Sequence, residues 1–208
     1  MEQNSDHIVI FATRFEARNF KPPPGVKVIF SGVGKKRAEK CIKKVLGKYR
    51  PHCVINSGFA GGLNPGFQTG TIVYRVSDES DDFLRQSGAI AAKFYCSEKV
   101  ITSIEEKREL YIKTGADVVD MESEVIFNAC REKGIPCKII RIISDDATTA
   151  MPVDFNKPLD IALGVIKVIF VPGYMHRLNE FSKKMYEAAK TLGEFLRTYF
   201  EHHTAIQK

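Results

Sequence analysis

The sequence predicts an α/β fold, a three-layer αβα sandwich around a mixed, mostly parallel central sheet. Short runs rich in β-branched residues alternate with amphipathic stretches, and this alternation is typical of strands connected by helices. The run Cys137–Ile143 is mostly apolar, which indicates a strand with both faces covered. With 208 residues the chain can bury its own core, so we expect a single domain over residues 1–208.

Turn residues and the spacing of apolar positions set the boundaries of the predicted elements. Pro22–Gly25 forces a turn between the first two strands, and Pro51 ends a first helix whose apolar residues form one stripe opposite its lysines. The predicted strands are His7–Phe11, Val26–Phe30, Cys53–Asn56, Thr71–Val76, Ala89–Cys96, Val118–Val119 and Cys137–Ile143. The predicted helices are Lys35–Tyr49, Ser103–Lys113, Ser123–Lys133 and His176–Phe200, and loops are expected at Ser57–Gly62, Asp78–Asp82 and Ser144–Asn156.

Composition limits the classes of function that the chain can have. Its five cysteines form no CxxC pair and no His/Cys/Asp cluster has metal-ligand spacing, so we expect reduced thiols and no metal. The polar start of the chain leads directly into the first strand, and no apolar run is long enough to span a bilayer. We therefore expect a cytoplasmic protein.

The net charge of +6 comes from an excess of Lys and Arg within the first 50 residues. One interpretation is a solvated face of the first helix. The other is a surface that attracts anions, nucleic acid or an anionic membrane. No aromatic platform accompanies the lysines, so we expect no nucleic-acid partner, while peripheral membrane contact remains open.

Three clusters of polar residues and glycines fall where predicted strands end, which is the edge of an α/β sheet at which ligands bind. They are Asn56–Gly62, Asp120–Glu124 and Arg141–Asp146. Asp145 follows a buried strand, and a partly desolvated carboxyl there has a raised pKa that suits a general acid. The alternative is an Asp that caps the following turn. Arg141 lies four residues earlier, so strand parity points its side chain to the same side.

Glu122 lies between Met121 and the start of a predicted helix. Carboxylates there can simply compensate the helix dipole, and this explains Glu124 well. The apolar residues around Glu122 indicate a buried setting, in which a carboxylate needs hydrogen-bond donors. The paired hydroxyls of a ribose would supply two.

The glycine-rich segment Asn56–Gly62 allows positive φ angles and close approach of the backbone to a ligand. Taken alone it is a weak signal of function. It lacks the Gly-Lys-Ser/Thr ending of a P-loop and differs from the GxGxxG dinucleotide pattern. The histidines are isolated or in the tail, and no GxSxG supports a serine hydrolase.

Together the three clusters resemble the purine and uridine phosphorylase superfamily of nucleoside-cleaving enzymes. The matching segments are VINSGFAGGLNPGFQTGTIV, DVVDMESEVIFNAC and KIIRIISDDA, in the family's order, with SGVGKKRAEK before the first long helix. Within the superfamily the chain looks most like the nucleosidases, and especially the hopanoid-associated phosphorylases, also described as adenosylhopane nucleosidases. The cues are its short length, FEAR after the first strand, DMES, and the SDDA-to-MP segment followed by PLD.

The resemblance implies a nucleoside phosphorylase-like fold and a role for each matching residue. Asp145 would protonate a purine, and Glu16 would activate water. Glu122 would hold the ribose hydroxyls. The remaining implied binding residues are Met121 under the sugar, Phe59 and Gly61 along the pocket, Ile101 against the base, and Ser144 and Arg141, which help to orient the base.

Departures from the family bear on the nucleophile. True phosphorylases of the family bring an arginine to the position of Asn56 and commonly a serine to that of Phe59, so the sequence favours water over phosphate. Arg14, Arg18 and Lys35 lie near the expected pocket, so inorganic phosphate remains possible as a co-substrate. The resemblance implies no metal or organic cofactor, and it implies a homo-oligomer, based on a dimer or trimer, that completes the pocket at a subunit interface.

The sequence therefore predicts cleavage of the N-glycosidic bond of an adenosine-type nucleoside with a bulky 5′ substituent, as in adenosylhopane. The alternatives are a nucleosidase for 5′-methylthioadenosine or S-adenosylhomocysteine, a phosphate-dependent purine nucleoside phosphorylase, and a nucleoside-binding protein without turnover. Retention of both Asp145 and Glu122 argues against the last of these.

Overall fold

A computed structural model describes residues 7–77, 81–152, 156 and 173–206 of the chain. The strands are β1 (His7–Phe11), β2 (Val26–Phe30), β3 (Cys53–Gly62), β4 (Ile72–Val76), β5 (Ile90–Ala91), β6 (Phe94–Cys96), β7 (Val118–Asp120) and β8 (Cys137–Asp145). The helices are α1 (Lys35–Lys48), α2 (Asp82–Gln86), α3 (Ile104–Thr114), α4 (Ser123–Glu132) and α5 (Tyr174–Ile206).

The strands form one mixed sheet in the order β2-β1-β3-β8-β4-β5. Strands β2, β1, β3 and β8 run parallel to one another, and β4 pairs with β8 in the antiparallel sense. Near its end β3 also pairs antiparallel with β7, which continues the sheet to β6. The predicted mixed, mostly parallel sheet is confirmed.

Helices cover both faces of this sheet. On one face Ile8 and Ile10 of β1 pack in a buried cluster with residues of α1 and α4. On the other face Val9 and Phe11 pack in a cluster with residues of α5. Because neighbouring side chains of a strand point to opposite faces, β1 contributes to both cores and holds the three layers together.

The glycine-rich segment Ser57–Gly62 was expected to form a loop, and that prediction is wrong, because β3 continues through it. Ser57 to Ala60 pair in register with β8, and Gly61 pairs with Val119 of β7. A Cβ on Gly61 would lie only 3.2 Å from a methyl carbon of Val119. Glycine therefore allows β7 to approach, and β3 reaches the pocket as a strand.

Other boundaries differ from the predictions by a few residues. The predicted strand Ala89–Cys96 is two short strands, and the last helix extends beyond its predicted bounds at both ends. Strand β8 continues through Ser144 and Asp145, so the chain leaves the sheet later than expected. Residues 78–80 of the predicted loop Asp78–Asp82 and residues 153–155 of the predicted loop Ser144–Asn156 lie outside the described residues. Asp82, expected in the first of these loops, begins α2.

Helix α1 has the amphipathic arrangement that its spacing predicts. Ala38, Ile42, Val45 and Leu46 are buried against the sheet, whereas its lysines lie on the exposed face. The stripe thus directs the positive charge of this part of the chain towards solvent.

Candidate active site

A cavity of about 230 Å³ lies at the carboxyl ends of β3 and β8 and beside the start of α4. Its wall includes eight residues that the sequence singled out: Glu16, Phe59, Gly61, Ile101, Met121, Glu122, Ser144 and Asp145. Arg141 does not line the cavity. The segments that supply these residues are far apart in sequence, and the parallel strands bring them to one edge of the sheet, as expected for an α/β fold.

Asp145 is the last residue of β8 and is almost fully buried, with 1% of its surface exposed. The hydroxyl of Ser144 donates to Oδ1 at 2.6 Å, and Nζ of Lys107 donates to Oδ2 at 2.5 Å. Burial raises the pKa of Asp145, while Lys107 and then Ser144 act in the lowering direction, and the net shift is upward. A carboxyl that retains its proton more readily than usual is suited to act as an acid.

The turn-capping role considered as an alternative for Asp145 is performed by the next residue, Asp146. Oδ1 of Asp146 accepts hydrogen bonds from the backbone N–H and hydroxyl of Thr148 and from the hydroxyl of Thr149, and Oδ2 accepts from Thr69. Burial acts to raise its pKa, but these hydrogen bonds outweigh burial and lower the pKa of Asp146 to about 2. The two neighbouring aspartates thus have separate environments.

Glu122 occupies the position just before α4, yet its side chain makes no capping hydrogen bond to that helix. Its Oε1 instead accepts from the backbone N–H of Gly34, at the start of α1, at 2.6 Å. Burial is the main cause that raises the pKa of Glu122 to about 7, although the positive charge of Arg141 and the N–H of Gly34 lower it. Compensation of the dipole of α4 therefore does not explain the position of Glu122. It does explain Glu124, which is exposed in the first turn of that helix.

Glu16 is held after β1 by three hydrogen bonds. Its Oε2 accepts from the backbone N–H of Thr13 at 2.6 Å and from the Thr13 hydroxyl at 3.0 Å, and its Oε1 accepts from the N–H of Phe59 at 3.2 Å. Gly58 makes this approach possible, because a Cβ there would lie 2.5 Å from Oε1 of Glu16. Gly58 also has φ of +147°, which other residues rarely adopt.

Arg141 lies beneath the cavity in a buried polar network. Its Nη2 donates to Asn56 at 2.6 Å and to Asp120 at 2.8 Å, and its Nε donates to Asp120 at 3.1 Å. Its Nη1 is buried with no hydrogen-bond partner among the described residues, and it points towards Gly58 and Glu16. Arg141 was expected to help orient the base beside Asp145, but its ion pair is with Asp120.

Sequence reasoning missed several residues of this site. Lys107 was not singled out because a lysine in an amphipathic helix normally faces water. Gly34 acts through its backbone N–H, which the residue type alone does not reveal. The exposed Val33 and the half-buried Met151 and Met185 also line the cavity, and only their apolar character could have suggested a role there.

The described residues contain no group of three or more His, Cys, Asp or Glu side chains that could hold a metal ion. In the same part of the chain, none of the helices has the length and apolar character needed to cross a membrane.

The αβα sandwich thus holds, at one edge of its sheet, a cavity lined by buried carboxyl groups. Residues 81–201, more than half of the chain, match the phosphorylase superfamily. The chain belongs to this superfamily, which confirms the resemblance inferred from its motifs. The finer likeness to hopanoid-associated phosphorylases stays a prediction.

Individual relatives agree with this membership. The chain is 27% identical to 5′-methylthioadenosine/S-adenosylhomocysteine nucleosidase of Tolumonas auensis over 172 residues, 64% of this chain and 73% of the relative. Its fold is similar to that of futalosine hydrolase of Helicobacter pylori, with a TM-score of 0.67 and 16% identity over 95% of this chain and 98% of the other. A Helicobacter pylori MTAN mutant with 5′-methylthioadenosine in the active site gives a TM-score of 0.67 and 16% identity over 95% and 99%.

Proposed function

We propose that this chain hydrolyses the N-glycosidic bond of an adenosine-type nucleoside and releases the free base. The observation that carries the proposal is that Glu16, Glu122 and Asp145, three of the four buried carboxyl groups in the wall, converge on one cavity. The named relative is a nucleosidase for 5′-methylthioadenosine and S-adenosylhomocysteine, which are adenosine-type nucleosides, and this supports the same bond as the target.

Each carboxyl has a separate task in the proposed reaction. Asp145 gives its proton to N7 of the purine while the bond from C1′ to N9 breaks, and the electron pair of that bond enters the purine ring. The ribose then carries an oxocarbenium-like positive charge, as in sugar hydrolysis. Glu122 holds the ribose hydroxyls, and its negative charge stabilises the developing cation. Glu16 takes a proton from the water whose oxygen bonds to C1′.

The surroundings of Glu16 support water as the nucleophile. Glu16 lines the cavity, and its carboxylate is held there by the N–H groups of Thr13 and Phe59, so it can accept a proton from a water molecule in the cavity. Phosphate would need cations, but Arg14 lies over the ring of Phe30 and Lys35 is outside the cavity wall. Lys99 is in the wall, where it pairs with Glu106. Arg18 likewise stacks on aromatic rings. This arrangement favours hydrolysis over phosphorolysis.

The outer cavity supports an apolar 5′ substituent. With the base at Asp145 and the ribose hydroxyls at Glu122, the 5′ carbon of the ribose points away from both towards the mouth. We place the 5′ group against Val33, Met151 and Met185, which are exposed or half-buried residues of the wall, and thioether side chains adapt to apolar groups of different shape. We therefore propose a bulky apolar 5′ group, as in adenosylhopane, and keep a small 5′-thio nucleoside as the alternative.

The proposal is tested by incubating the protein with adenosine, 5′-methylthioadenosine and an adenosine with a long 5′-alkylthio chain, with and without phosphate. We expect adenine and free sugar in both conditions, with the highest kcat/KM for the long-chain nucleoside. Adenine that forms only with phosphate, together with ribose 1-phosphate, would identify a phosphorylase instead. The absence of adenine from every nucleoside, lipid-linked ones included, would rule out the enzyme proposal.

Two neighbouring variants supply the matched control. Asp145→Asn removes the proton donor and should lower kcat by a factor of about 10² to 10⁴. Asp146→Asn changes the adjacent side chain, which caps a turn outside the cavity wall, and should have a much smaller effect. An Asp145→Asn protein with unchanged kcat would remove Asp145 from the acid role.

A further inference from the structure

Lys107 is a buried cation that the proposed reaction does not yet use. It lies in the first turns of α3, and none of its surface is exposed. Burial of a charged ammonium is costly unless the charge is paired and each donor is bonded. The chain therefore has a strong energetic reason to hold this side chain in one fixed arrangement.

That arrangement satisfies the whole ammonium group. Nζ donates to Oδ2 of Asp145 at 2.5 Å, to the backbone carbonyl of Asp146 at 2.7 Å and to the carbonyl of Thr149 at 2.8 Å. A lysine ammonium has three donors, and all three are used. Lys107 thus fixes the Asp145 carboxyl from one side, while Ser144 binds the other oxygen.

We propose that Lys107 is a positioning residue that fixes Asp145 towards the purine and makes it a stronger acid. The inference rests on the proposed role of Asp145 as the proton donor. When Asp145 gives its proton to N7, a carboxylate is left in a buried site. The Lys107 ammonium group pairs with that carboxylate, so the product of the proton transfer is stabilised and the transfer becomes easier.

The other charged groups near Asp145 make this pairing important. Asp146 is adjacent, and its negative charge acts to raise the pKa of Asp145, so it disfavours a further negative charge there. Glu16, Asp120 and Glu122 line the same cavity. Lys99 lies at the rim and pairs with Glu106. Among the described residues, Lys107 is the cation within ion-pair distance of Asp145.

The pH dependence gives a direct test because activity requires a protonated Asp145. Burial raises the pKa of Asp145 and Lys107 lowers it, so removal of the cation should raise that pKa further. The rate falls at high pH as Asp145 loses its proton, and this fall is the alkaline limb of the pH profile. In a variant without the cation, the alkaline limb should lie at a higher pH than in the parent protein. A residue that only supports the structure would not move this alkaline limb upwards.

We would measure kcat and KM for 5′-methylthioadenosine across pH in Lys107→Gln and Lys107→Met. Gln keeps a hydrogen-bond donor for the two carbonyls without the charge, and Met removes both. Both variants should lose at least about tenfold in kcat. Their alkaline limb should move up by about one pH unit or more. KM should change little. Lys113→Gln, on the exposed part of the same helix, is the control and should behave as the parent.

The same measurements can overturn the inference. An unchanged or downward-shifted alkaline limb in Lys107→Gln would do so, as would full recovery of kcat by Gln where Met is impaired, since a donor alone would then suffice. Should Lys107→Met fail to fold by circular dichroism, Lys107→Gln decides. Asp145→Asn is assayed in parallel. Normal turnover by Asp145→Asn would reject Asp145 as the acid. A strong loss of kcat in Asp145→Asn, together with an unshifted alkaline limb in Lys107→Gln, would reject only the role of Lys107.

A substrate that needs no acid gives an independent readout. A 4-nitrophenyl riboside releases its leaving group as a stable anion, so its hydrolysis does not require a proton from Asp145. Lys107→Gln should cleave it at close to the parent rate. An equal loss on this substrate and on 5′-methylthioadenosine would indicate general damage to the site and would contradict the proposal.

Discussion

Glu122 lies at the N-terminus of α4, but its side chain does not cap that helix. Its carboxyl turns to the backbone N–H of Gly34 and is 7% exposed, and burial is the main reason that its pKa is raised to about 7. A carboxyl with this pKa changes its charge within the range in which enzymes are usually assayed. Its ionised form can accept two hydroxyl donors, which the protonated form does less well.

We expect kcat/KM for an adenosine-type nucleoside to rise as the pH increases through about 7, because Glu122 then loses its proton. Glu122→Gln cannot ionise, so this rise should disappear and kcat/KM at pH 8 should fall about 10- to 100-fold. A pH series of initial rates checks both effects.

Glu124→Gln is the control for this prediction, since it changes an exposed carboxylate two positions further along. It should leave the profile unchanged. A Glu122→Gln protein that keeps the rise through neutral pH would show that another group is responsible for it.

At the scale of single residues, the sequence located the carboxyl groups but missed their partners. Glu16, Glu122 and Asp145 were found through motifs, and they line one cavity. Lys107 was missed because its burial depends on a partner 38 positions away on β8, which no local pattern reveals. The N–H of Gly34 was missed for the same reason, because a backbone donor has no signature in the sequence.

At the scale of elements, composition misled the prediction where glycines occur in a strand. Glycine weakens strands, so Ser57–Gly62 was expected to be a loop. Pairing with β8 on one side and β7 on the other overrides this tendency. The alternation of strands and helices was predicted correctly because it depends on the spacing of buried apolar residues along each whole element. A few glycines within one strand do not alter that spacing.

The C-terminal helix α5 is attached to the sheet through a buried acidic residue. Asp81, which is 4% exposed, accepts hydrogen bonds from Lys138 of β8, from the Tyr199 hydroxyl of α5 and from the backbone N–H of Leu84. His203 of α5 also lies 3.5 Å away. Burial acts to raise the pKa of Asp81, but the hydrogen bonds from His203, Lys138 and Leu84 outweigh it and hold the pKa well below its usual range.

A lowered pKa means that the folded state binds the proton of Asp81 less tightly than the unfolded state. The stabilisation is therefore complete above the ordinary pKa of an aspartate and is lost as the pH falls below about 4. Asp81→Asn should lower the free energy of unfolding at pH 7 by about 2–4 kcal/mol, since it leaves Lys138 without its buried partner. The difference between the two proteins should shrink as the pH is lowered towards 3.

Urea unfolding at several pH values measures this difference. Asp82→Asn changes the neighbouring exposed aspartate at the start of α2 and serves as the control, with an expected change within about 0.5 kcal/mol. Equal stability of Asp81→Asn and the parent at pH 7 would contradict the importance of this attachment.

At the scale of the whole molecule, exposed apolar side chains lie beside the cavity, since Val33 is part of its wall and the ring of Phe15 contacts Phe59 of the wall. Phe15, Val33 and Tyr186 are 40%, 44% and 44% exposed, and Arg18 stacks on the rings of both Phe15 and Tyr186. Clustered exposed aromatic residues mark surfaces that bind a partner or a ligand. This feature fits the homo-oligomer that the resemblance to the superfamily implies.

We expect light scattering to give a mass that is a multiple of the 23.4 kDa chain, because a second copy would cover this apolar rim. Phe15→Glu should lower the mass towards that of one chain and reduce kcat/KM. Ile112→Glu is the control, since Ile112 is 72% exposed on α3 and should leave the mass unchanged. A single-chain mass for the parent protein at micromolar concentration would show the prediction of an oligomer to be wrong.

The hydrogen bond from Gly34 to Glu122 also has a consequence for folding. Its two residues are 88 positions apart, and the bond joins the start of α1 to the start of α4. Contacts of such separation carry a high entropic cost of loop closure, so we expect this hydrogen bond to form late in folding. In a refolding experiment, we expect helix content to return before the Glu122 carboxyl is in place. Recovery of enzymatic rate would then report the completion of tertiary packing, and no fragment lacking either helix would reproduce the site.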